Sequence, residues 1–326
     1  MKVLVTGANG HIGANLVRLL LERGHDVRAL VRPASDLRGL TGVAVELVRG
    51  DARDADAVRS AVRDRETVFH LAAPTRTEPG LEQSIVEGSR ILLDACLKGG
   101  VGRVVYTSSV VTVGYADSPA NVLTEESRTE TNASAYHTGK WRAEQDTLAF
   151  GAATGLPVVV VNPSTVVGRL DYRITPSTAP LFRCLRKGLP VTFDSGLTIA
   201  PVRDVALGHL LAAERGAPGE RYILGGERLM IRDYFALLCR LCNRPAPRLH
   251  LPRALMLALG LAGSAAEAAG FRNVPFTFRQ ASKLAGKYAW YSSEKARQKL
   301  GYSWHSAEEA ALDYITWRRE TGDAHE

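Results

Sequence analysis

Short apolar runs alternate with segments of helical period through the first half of the chain. The apolar runs are continuous and rich in β-branched residues, which is typical of strands buried on both faces of a parallel sheet. Strands are expected at 2–7, 26–32, 43–50, 67–73, 102–109 and 156–163. Helices are expected at 11–23, 57–63, 81–98 and 134–150. This repetition predicts βαβ units and a doubly wound α/β fold.

The pattern loosens after about residue 168. A helix is expected at 176–188, a strand leading into a helix at 198–214 and a strand at 221–226, and the chain is mostly helical from 229. We therefore expect a nucleotide-binding sheet domain over 1–165, to which 198–225 returns. A smaller, mostly helical substrate domain, with a lid, would comprise 166–197 and 226–326.

The most apolar long stretch covers residues 251–270. It contains Pro252, Arg253, Glu267 and many small residues. It is too short and too weakly apolar to span a bilayer, so we expect no membrane span. A packed or lid-like helix with a large apolar face fits it better.

The amino-acid composition indicates an ordinary globular protein and little more. The 326 residues are 45% hydrophobic and 23% charged, enough for one large domain or two closely joined ones. The net charge of +7 comes from basic residues that look scattered along the chain. A diffuse excess suits a solvated surface that attracts anionic ligands such as nucleotides, and it does not predict nucleic-acid binding.

The four cysteines are expected to be free thiols in a reducing cytoplasm, because the start MKVLVTGANG is a strand and turn without signal-peptide architecture. Cys239 and Cys242 form one C-x-x-C in a segment of helical period. With no second ligand pair nearby, core packing is expected there instead of zinc. No His, Asp or Glu cluster has metal-ligand spacing, so no metal is predicted.

The stretch TGANGHIG (6–13) follows the first strand and opens the first helix. Gly7, Gly10 and Gly13 permit the tight turn and the close backbone approach that a pyrophosphate needs. The helix that follows offers unpaired N–H groups and the positive end of its dipole. We predict a dinucleotide site here that also involves the intervening Asn9, His11 and Ile12.

The end of the second strand bears on the choice of cofactor. A carboxylate there would bind the ribose 2′-hydroxyl of NAD, but the stretch reads ALVRPAS and offers Arg32. Arginine suits a 2′-phosphate, so NADP(H) is predicted over NAD(H), which stays the alternative. Arg32 could instead lie in solvent at the strand end.

Tyr136 and Lys140 lie four apart in SAYHTGK and would share one face of a helix. A nearby ammonium favours a phenolate, so the pair could act as a general acid/base. By itself, the spacing is better explained by a merely structural pair.

Three motifs in order change that reading: TGxxGxxG at 6–13, YTSS at 106–109 and YxxxK at 136–140. With GDARD (50–54), HLAA (70–73), NPSTVVG (162–168) and VRDVALGHLLA (202–212), the chain resembles the extended short-chain dehydrogenase/reductases. It is most similar to the dihydroflavonol-4-reductase-like branch, which includes hydroxysteroid-dehydrogenase relatives. It is also similar to the sugar-epimerase-type proteins found beside hopanoid synthesis. The resemblance implies a Rossmann-like fold and a homodimer formed through two helices of the sheet domain.

The resemblance also implies roles. Tyr136 would exchange a proton with the substrate oxygen, Lys140 would hold the nicotinamide ribose and lower the pKa of the tyrosine, and Ser109 would hydrogen-bond the substrate oxygen. The implied cofactor contacts are Asp51 and Ala52 at the adenine, Leu71, Ala72 and Ala73 along the ribose and phosphates, and Pro163 and Val166 near the nicotinamide.

Two positions depart from the family pattern. Ile85 stands where many relatives have an asparagine that supports a proton relay, although Ser84 is adjacent. Gly139 stands where serine is common, and we expect it to let the helix approach the cofactor.

The other polar residues of interest are expected to have no catalytic role. His137 would face away from Tyr136 and pack or lie at the surface, and His70 would be a satisfied buried histidine. Glu125 and Glu126 are expected in a solvated loop.

Three functions follow from the sequence. The first is an NADP(H)-dependent oxidoreductase acting on a ketone or secondary alcohol of a small or lipophilic substrate. The second is a nucleotide-sugar epimerase or dehydratase that uses the same Ser109, Tyr136 and Lys140 with a recycled cofactor. The third is a non-catalytic dinucleotide sensor, which would have no need of all three residues.

Overall fold

The computed structural model describes residues 1–73, 80–127, 134–270 and 276–322. A parallel sheet of seven strands forms its centre, in the order β3-β2-β1-β4-β5-β6-β10. These strands are β1 (Lys2–Thr6), β2 (Asp26–Val31), β3 (Glu46–Arg49), β4 (Thr67–His70), β5 (Arg103–Thr107), β6 (Val158–Pro163) and β10 (Arg221–Leu224). This confirms the predicted Rossmann-like doubly wound sheet.

Helices cover both faces of this sheet. They are α1 (His11–Glu22), α2 (Ala55–Val62), α3 (Leu81–Lys98), α4 (Ala135–Thr154) and α6 (Val202–Arg215). Strands β4, β5 and β6 are buried on both faces, as their continuous apolar runs predict. Strand β3 is mostly exposed because it forms the outer edge of the sheet.

The remaining elements form a second, smaller unit. Its strands are β7 (Thr165–Val167), β8 (Val191–Phe193), β9 (Ser195–Pro201), β11 (Glu227–Met230), β12 (Leu249–Leu251) and β13 (Lys287–Ala289). Its helices are α5 (Ala179–Lys187), α7 (Ile231–Leu241), α8 (Arg253–Ala268), α9 (Phe278–Leu284) and α11 (Ala307–Glu320), whereas α10 (Glu294–Leu300) packs on α6 and β10 of the large sheet. Strand β9 pairs with β7, β11 and β13, a small sheet that the helical periodicity of this region did not predict.

The chain crosses between the two units around residues 198–225. Strand β9 belongs to the small sheet, whereas β10 pairs in parallel with β6 and α6 packs on α1. We therefore propose that the cofactor unit comprises 1–165 together with the α6–β10 part of 198–225. The substrate unit would comprise 166–197 and 226–326.

Glu125 corrects one prediction. It was expected in a solvated loop, but its side chain is 7% exposed and its Oε1 accepts a hydrogen bond of 2.8 Å from the backbone N–H of Ile223. Ile223 lies in β10, the last strand of the sheet, whose outward N–H groups have no neighbouring strand. Glu126 is exposed, as expected.

Replacing Glu125 by alanine should destabilise the protein, because it leaves a buried backbone N–H without an acceptor. We expect the free energy of unfolding to fall by about 1–3 kcal/mol. Urea unfolding followed by circular dichroism measures this. Glu126→Ala, the exposed neighbour, is the matched control, and an equal effect of both variants would contradict the assigned role.

Candidate active site

The glycines of the phosphate loop make a packed turn between β1 and α1. Gly7 has a φ of +67°, and a Cβ there would lie 2.8 Å from the backbone nitrogen of Ala72. A Cβ on Gly13 would lie 2.2 Å from the carbonyl oxygen of Gly7, to which the N–H of Gly10 also donates at 2.9 Å. Larger residues at Gly7 or Gly13 would force the loop apart.

The start of α1 fits an anion. The N-cap of α1 is Gly10, and no side chain of the described residues caps the helix there. The first turn has no acidic residue. Its first backbone N–H groups can therefore donate to a phosphate, with the favourable end of the helix dipole behind them. Ile12 packs its side chain on the hydrophobic core below. The loop thus fits the pyrophosphate of a dinucleotide.

Two side chains of the loop hold it in place. Asn9 Nδ2 donates to the carbonyl oxygen of Asp36 at 3.2 Å. His11 Nε2 lies 3.0 Å from the carbonyl oxygen of Gly168, and its side chain is only 6% exposed. Burial lowers the pKa of His11, which favours the neutral ring. Both side chains anchor the loop to neighbouring segments, so we propose that these residues meet a cofactor through their backbone.

Arg32 lies exposed, directly after β2. The Arg53 guanidinium, which donates to the Asp51 carboxylate at 2.9 Å, holds the pKa of that carboxyl below its usual value, and Arg32 adds a smaller effect. The structure therefore brings Arg32 and Asp51 to the same end of the loop, with the partly buried Ala52 beside them. This is the end where an adenosine would lie in this fold.

A carboxylate that the sequence analysis missed also lies near this end. Asp36 comes four residues after Arg32, just beyond the stretch ALVRPAS. Its carbonyl group is the one bound by Asn9 of the phosphate loop, and its carboxylate accepts from Arg38 Nη2 at 2.8 Å. The hydrogen bond from Arg38 lowers the pKa of Asp36. The site thus offers both charges close to the second strand.

The other predicted cofactor residues lie along the carboxyl ends of the strands. The backbone N–H groups of Leu71 and Ala72 donate to the carbonyl and hydroxyl oxygens of Thr6, both at 3.2 Å, and Ala73 follows them. Pro163 ends β6. Val166 is only 6% exposed because it packs in the core, so only its backbone remains for a ligand.

Ser109 follows β5 and caps a 3₁₀ turn, Val110–Thr112. Its backbone is extended, and its Oγ accepts from the N–H of Val111 at 3.3 Å. Ser109 is partly exposed, whereas Ser108 beside it is buried. Of the two serines, Ser109 is therefore the one placed to contact a ligand.

Tyr136 and Lys140 occupy the first two turns of α4, which begins after its N-cap Ser134. Lys140 is 4% exposed, and its Nζ donates to the carbonyl oxygen of Thr107 at 2.8 Å. Burial lowers the pKa of Lys140 to about 8, against an opposing effect of Glu144. The lysine is thus tied to the end of β5, two residues before Ser109.

The pKa of Tyr136 differs from the expectation. Burial, with a smaller effect of Tyr115, raises it to about 12. The expected lowering by Lys140 is not found, because the Lys140 ammonium is directed to the backbone of Thr107. In the protein without cofactor, Tyr136 is therefore a protonated hydroxyl and a proton donor.

A buried carboxylate that sequence reasoning missed joins the elements carrying these residues. Glu144 is fully buried and accepts from Thr112 Oγ1 at 2.9 Å and from Asn162 Nδ2 at 2.8 Å. Arg221 Nε lies 3.0 Å from its other oxygen. The spacing of Tyr136, Lys140 and Glu144, four residues apart on one helix face, could have indicated Glu144 in the sequence. We call Glu144, Thr112, Asn162 and Arg221 the Glu144 cluster.

The two departures from the family pattern contact each other. A Cβ on Gly139 would lie 3.0 Å from the Glu82 Cα and 3.0 Å from Ile85 Cδ1. Gly139 therefore permits close packing of α4 on α3, which differs from the expected approach to a cofactor. Ile85 is buried in that contact, and its apolar side chain cannot relay a proton.

The remaining polar residues have structural partners. His70 Nδ1 lies 2.8 Å from Thr6 Oγ1, and burial lowers its pKa to about 3, so it is a neutral, hydrogen-bonded core residue. His137 Nδ1 lies 2.5 Å from Ser134 Oγ. Cys239 is buried, 3.6 Å from the Sγ of Cys184. Within the described ranges, no group of three or more His, Cys, Asp or Glu is arranged to hold a metal ion.

The structure thus has a glycine loop at the start of α1, Ser109 directly after β5, and Tyr136 and Lys140 in the first turns of α4, an arrangement suited to a nicotinamide dinucleotide. A profile of the "NAD dependent epimerase/dehydratase family" matches residues 3–225. The chain belongs to this family, within the extended short-chain dehydrogenase/reductases. Its members include NAD(P)-dependent oxidoreductases, epimerases and dehydratases.

Similar proteins cover the full chain. The chain is 36% identical to a "Putative dihydroflavonol 4-reductase" of Synechocystis sp., over 98% of this chain and 94% of that protein. It is also 36% identical to "Sterol demethylase protein B" of Methylococcus capsulatus, over 99% of both. The crystal structure of gox2253 superposes with a TM-score of 0.89 at 35% identity, covering 100% of this chain and 99% of that one.

The burial of Lys140 predicts a pH dependence of stability. Burial lowers the pKa of Lys140 to about 8 in the folded protein, whereas in the unfolded chain the pKa has its ordinary value of 10.5. Between these pH values the unfolded state binds more protons, so this group makes stability rise with pH. Compared with Lys140→Met, the wild type should gain stability from pH 8 to 10.5.

Urea unfolding of both proteins across this pH range measures the effect. Lys299→Met, which removes an exposed lysine at the end of α10, is the matched control. A difference between wild type and Lys140→Met that stays constant with pH would contradict the buried, destabilised ammonium.

Proposed function

We propose that the protein is an NADP(H)-dependent oxidoreductase acting on a ketone or secondary alcohol. The observation that supports this proposal is the hydrogen bond of Lys140, on the same helix as Tyr136, to the backbone of Thr107, two residues before Ser109, in a chain of this family. When bound, the nicotinamide supplies or accepts the hydride. The chain itself must orient the substrate and move one proton.

Tyr136 is the proposed general acid. Its pKa of about 12 keeps the hydroxyl protonated near neutrality, which suits proton donation to a carbonyl oxygen during reduction. Ser109 would donate a second hydrogen bond to the same oxygen as its negative charge develops. Lys140, fixed on Thr107, would hold the ribose and stabilise the phenolate that remains.

The proposed substrate is small or lipophilic. Support comes from the two relatives above, whose names refer to a dihydroflavonol and a sterol, both largely apolar ring systems. The apolar helix α8 gives no such support, because the hydrophobic cluster it joins contains none of Ser109, Tyr136 and Lys140.

Tyr136→Phe removes only the hydroxyl and should reduce kcat for ketone reduction by about 10²–10⁴-fold. The dissociation constant of NADPH, measured by fluorescence, should stay the same because the phenyl ring remains. The substrate would come from a panel of ketones, aldehydes and nucleotide sugars assayed with NADPH. Tyr115→Phe removes a neighbouring hydroxyl and should change kcat far less. Unchanged turnover by Tyr136→Phe would exclude catalysis at this site.

The cofactor preference is proposed from Arg32. An exposed guanidinium after β2 can form a charge-assisted hydrogen bond with a 2′-phosphate. Arg32→Ala should weaken NADPH binding by about 10–100-fold and leave NADH binding unchanged. Arg63→Ala removes an exposed positive charge elsewhere and is the control. Tighter binding of NADH than NADPH by the wild type, or an unchanged preference in Arg32→Ala, would contradict the assignment.

A specific observation keeps the epimerase or dehydratase alternative open. Asp36 places a carboxylate near the phosphate loop, and a carboxylate in this region suits the free 2′-hydroxyl of NAD. An epimerase would purify with stoichiometric NAD(H) and convert a nucleotide sugar without net NADPH consumption. Mass spectrometry of the purified protein, followed by the substrate panel, distinguishes the two reactions.

A further inference from the structure

Helix α8 is apolar on the side that faces solvent. Its buried side packs on α9, where Gly260 and Gly263 permit close contact with Phe278 and Phe276. The exposed residues of α8 are leucines and alanines, apart from Arg253 at its start and Glu267 near its end. The apolar ones before Glu267 are Ala254, Leu255, Ala258, Leu259, Leu261, Ala262 and Ala265.

We call these seven residues the α8 surface. Leu255, Leu259 and Leu261 are 46%, 43% and 59% exposed. A helix this rich in leucine and alanine is normally buried over more of its surface, and this one is buried on only one side. Of the thirteen large exposed apolar side chains among the described residues, six lie between 249 and 284. Such a concentration marks an interaction surface, because single exposed leucines are usually scattered.

The charged residues around α8 are almost all basic. Residues 244–287 contain seven lysines and arginines and a single acid, Glu267, which is net +6 of the +7 of the whole chain. The basic residues are little denser here than in the rest of the chain, and the net positive charge of this stretch arises because acidic residues are scarce in it. Arg248, Arg253 and Arg279 are exposed beside the apolar residues. Acidic partners from outside this stretch are Asp194, which binds His250, and Asp117, which pairs with Lys287.

We propose that the α8 surface docks on an anionic lipid bilayer, with α8 lying in the plane of the interface. An apolar helix face rimmed by cations is the pattern of an interfacial helix, whose leucines enter the acyl region while the arginines meet anionic headgroups. No helix of the described residues is long and apolar enough to cross a bilayer, so contact would be limited to one leaflet. A symmetric contact between two copies through α8 would bring the like charges of both rims together, which is unfavourable.

Vesicle sedimentation tests this docking. The full chain should sediment with vesicles of phosphatidylcholine and phosphatidylglycerol, much less with phosphatidylcholine alone, and less at high salt. Leu255→Gln/Leu259→Gln should weaken this partition by roughly tenfold or more. Arg248→Gln/Arg279→Gln should lower the partition and its salt dependence.

The matched control is Leu97→Gln/Leu312→Gln, which makes the same changes at leucines of similar exposure, 41% and 42%, on α3 and α11. It should bind vesicles as the wild type does. Hydrogen exchange of wild-type protein with anionic vesicles should show new protection confined to 253–268, a readout that needs no variant.

Two outcomes would overturn bilayer docking. The first is a wild type that stays in solution with anionic vesicles and shows no protection of α8. The second is an equal loss of binding in the control variant. If light scattering shows a dimer that Leu255→Gln/Leu259→Gln dissociates, without vesicle binding, the α8 surface is an interface between copies instead.

Discussion

The buried carboxylate of Glu144 is the interaction on which the geometry of the site depends. It binds Thr112 in the turn after Ser109, Asn162 in β6 and Arg221 at the start of β10, and it lies on the same helix as Tyr136 and Lys140. Asn162 also donates to the carbonyl oxygen of Ser109 at 3.2 Å. Loss of one partner of such a buried pair leaves an uncompensated charge, at about 3–5 kcal/mol. The carboxylate therefore fixes the serine and the tyrosine relative to each other.

Helix α4 also sets the position of Lys140. Lys140 is buried beside Glu144 with its ammonium on the Thr107 carbonyl, so its position is set by the end of β5. The Ile85–Gly139 contact brings α4 against α3 by apolar packing, at the position where many relatives have a polar asparagine. Orientation of Lys140 thus comes from the β5 backbone and from Glu144, and it does not require the asparagine.

Much of the fold could be predicted from the sequence, because strands buried on both faces leave continuous apolar runs and the glycine loop marks where they begin. In the small sheet only the strand β9 was expected, at 198, because its partners β7, β11 and β13 have only three or four residues each. In the site, Ser109, Tyr136 and Lys140 were visible as motifs. Glu125 was not, because its acceptor role depends on β10 arriving about a hundred residues later as the edge of the sheet.

At the cofactor end of the candidate site, the residue directly after β2 and the residues a few positions later suggest different cofactors. Arg32 directly follows β2, and reading only that position predicts a 2′-phosphate site. The loop then turns back, and Asn9 binds the backbone of Asp36, which brings a carboxylate to the same region. That carboxylate is held by Arg38, so its acceptor capacity is already partly used. The proposal of NADP(H) over NAD(H) rests on these two charges, the exposed guanidinium of Arg32 and the Asp36 carboxylate already engaged by Arg38.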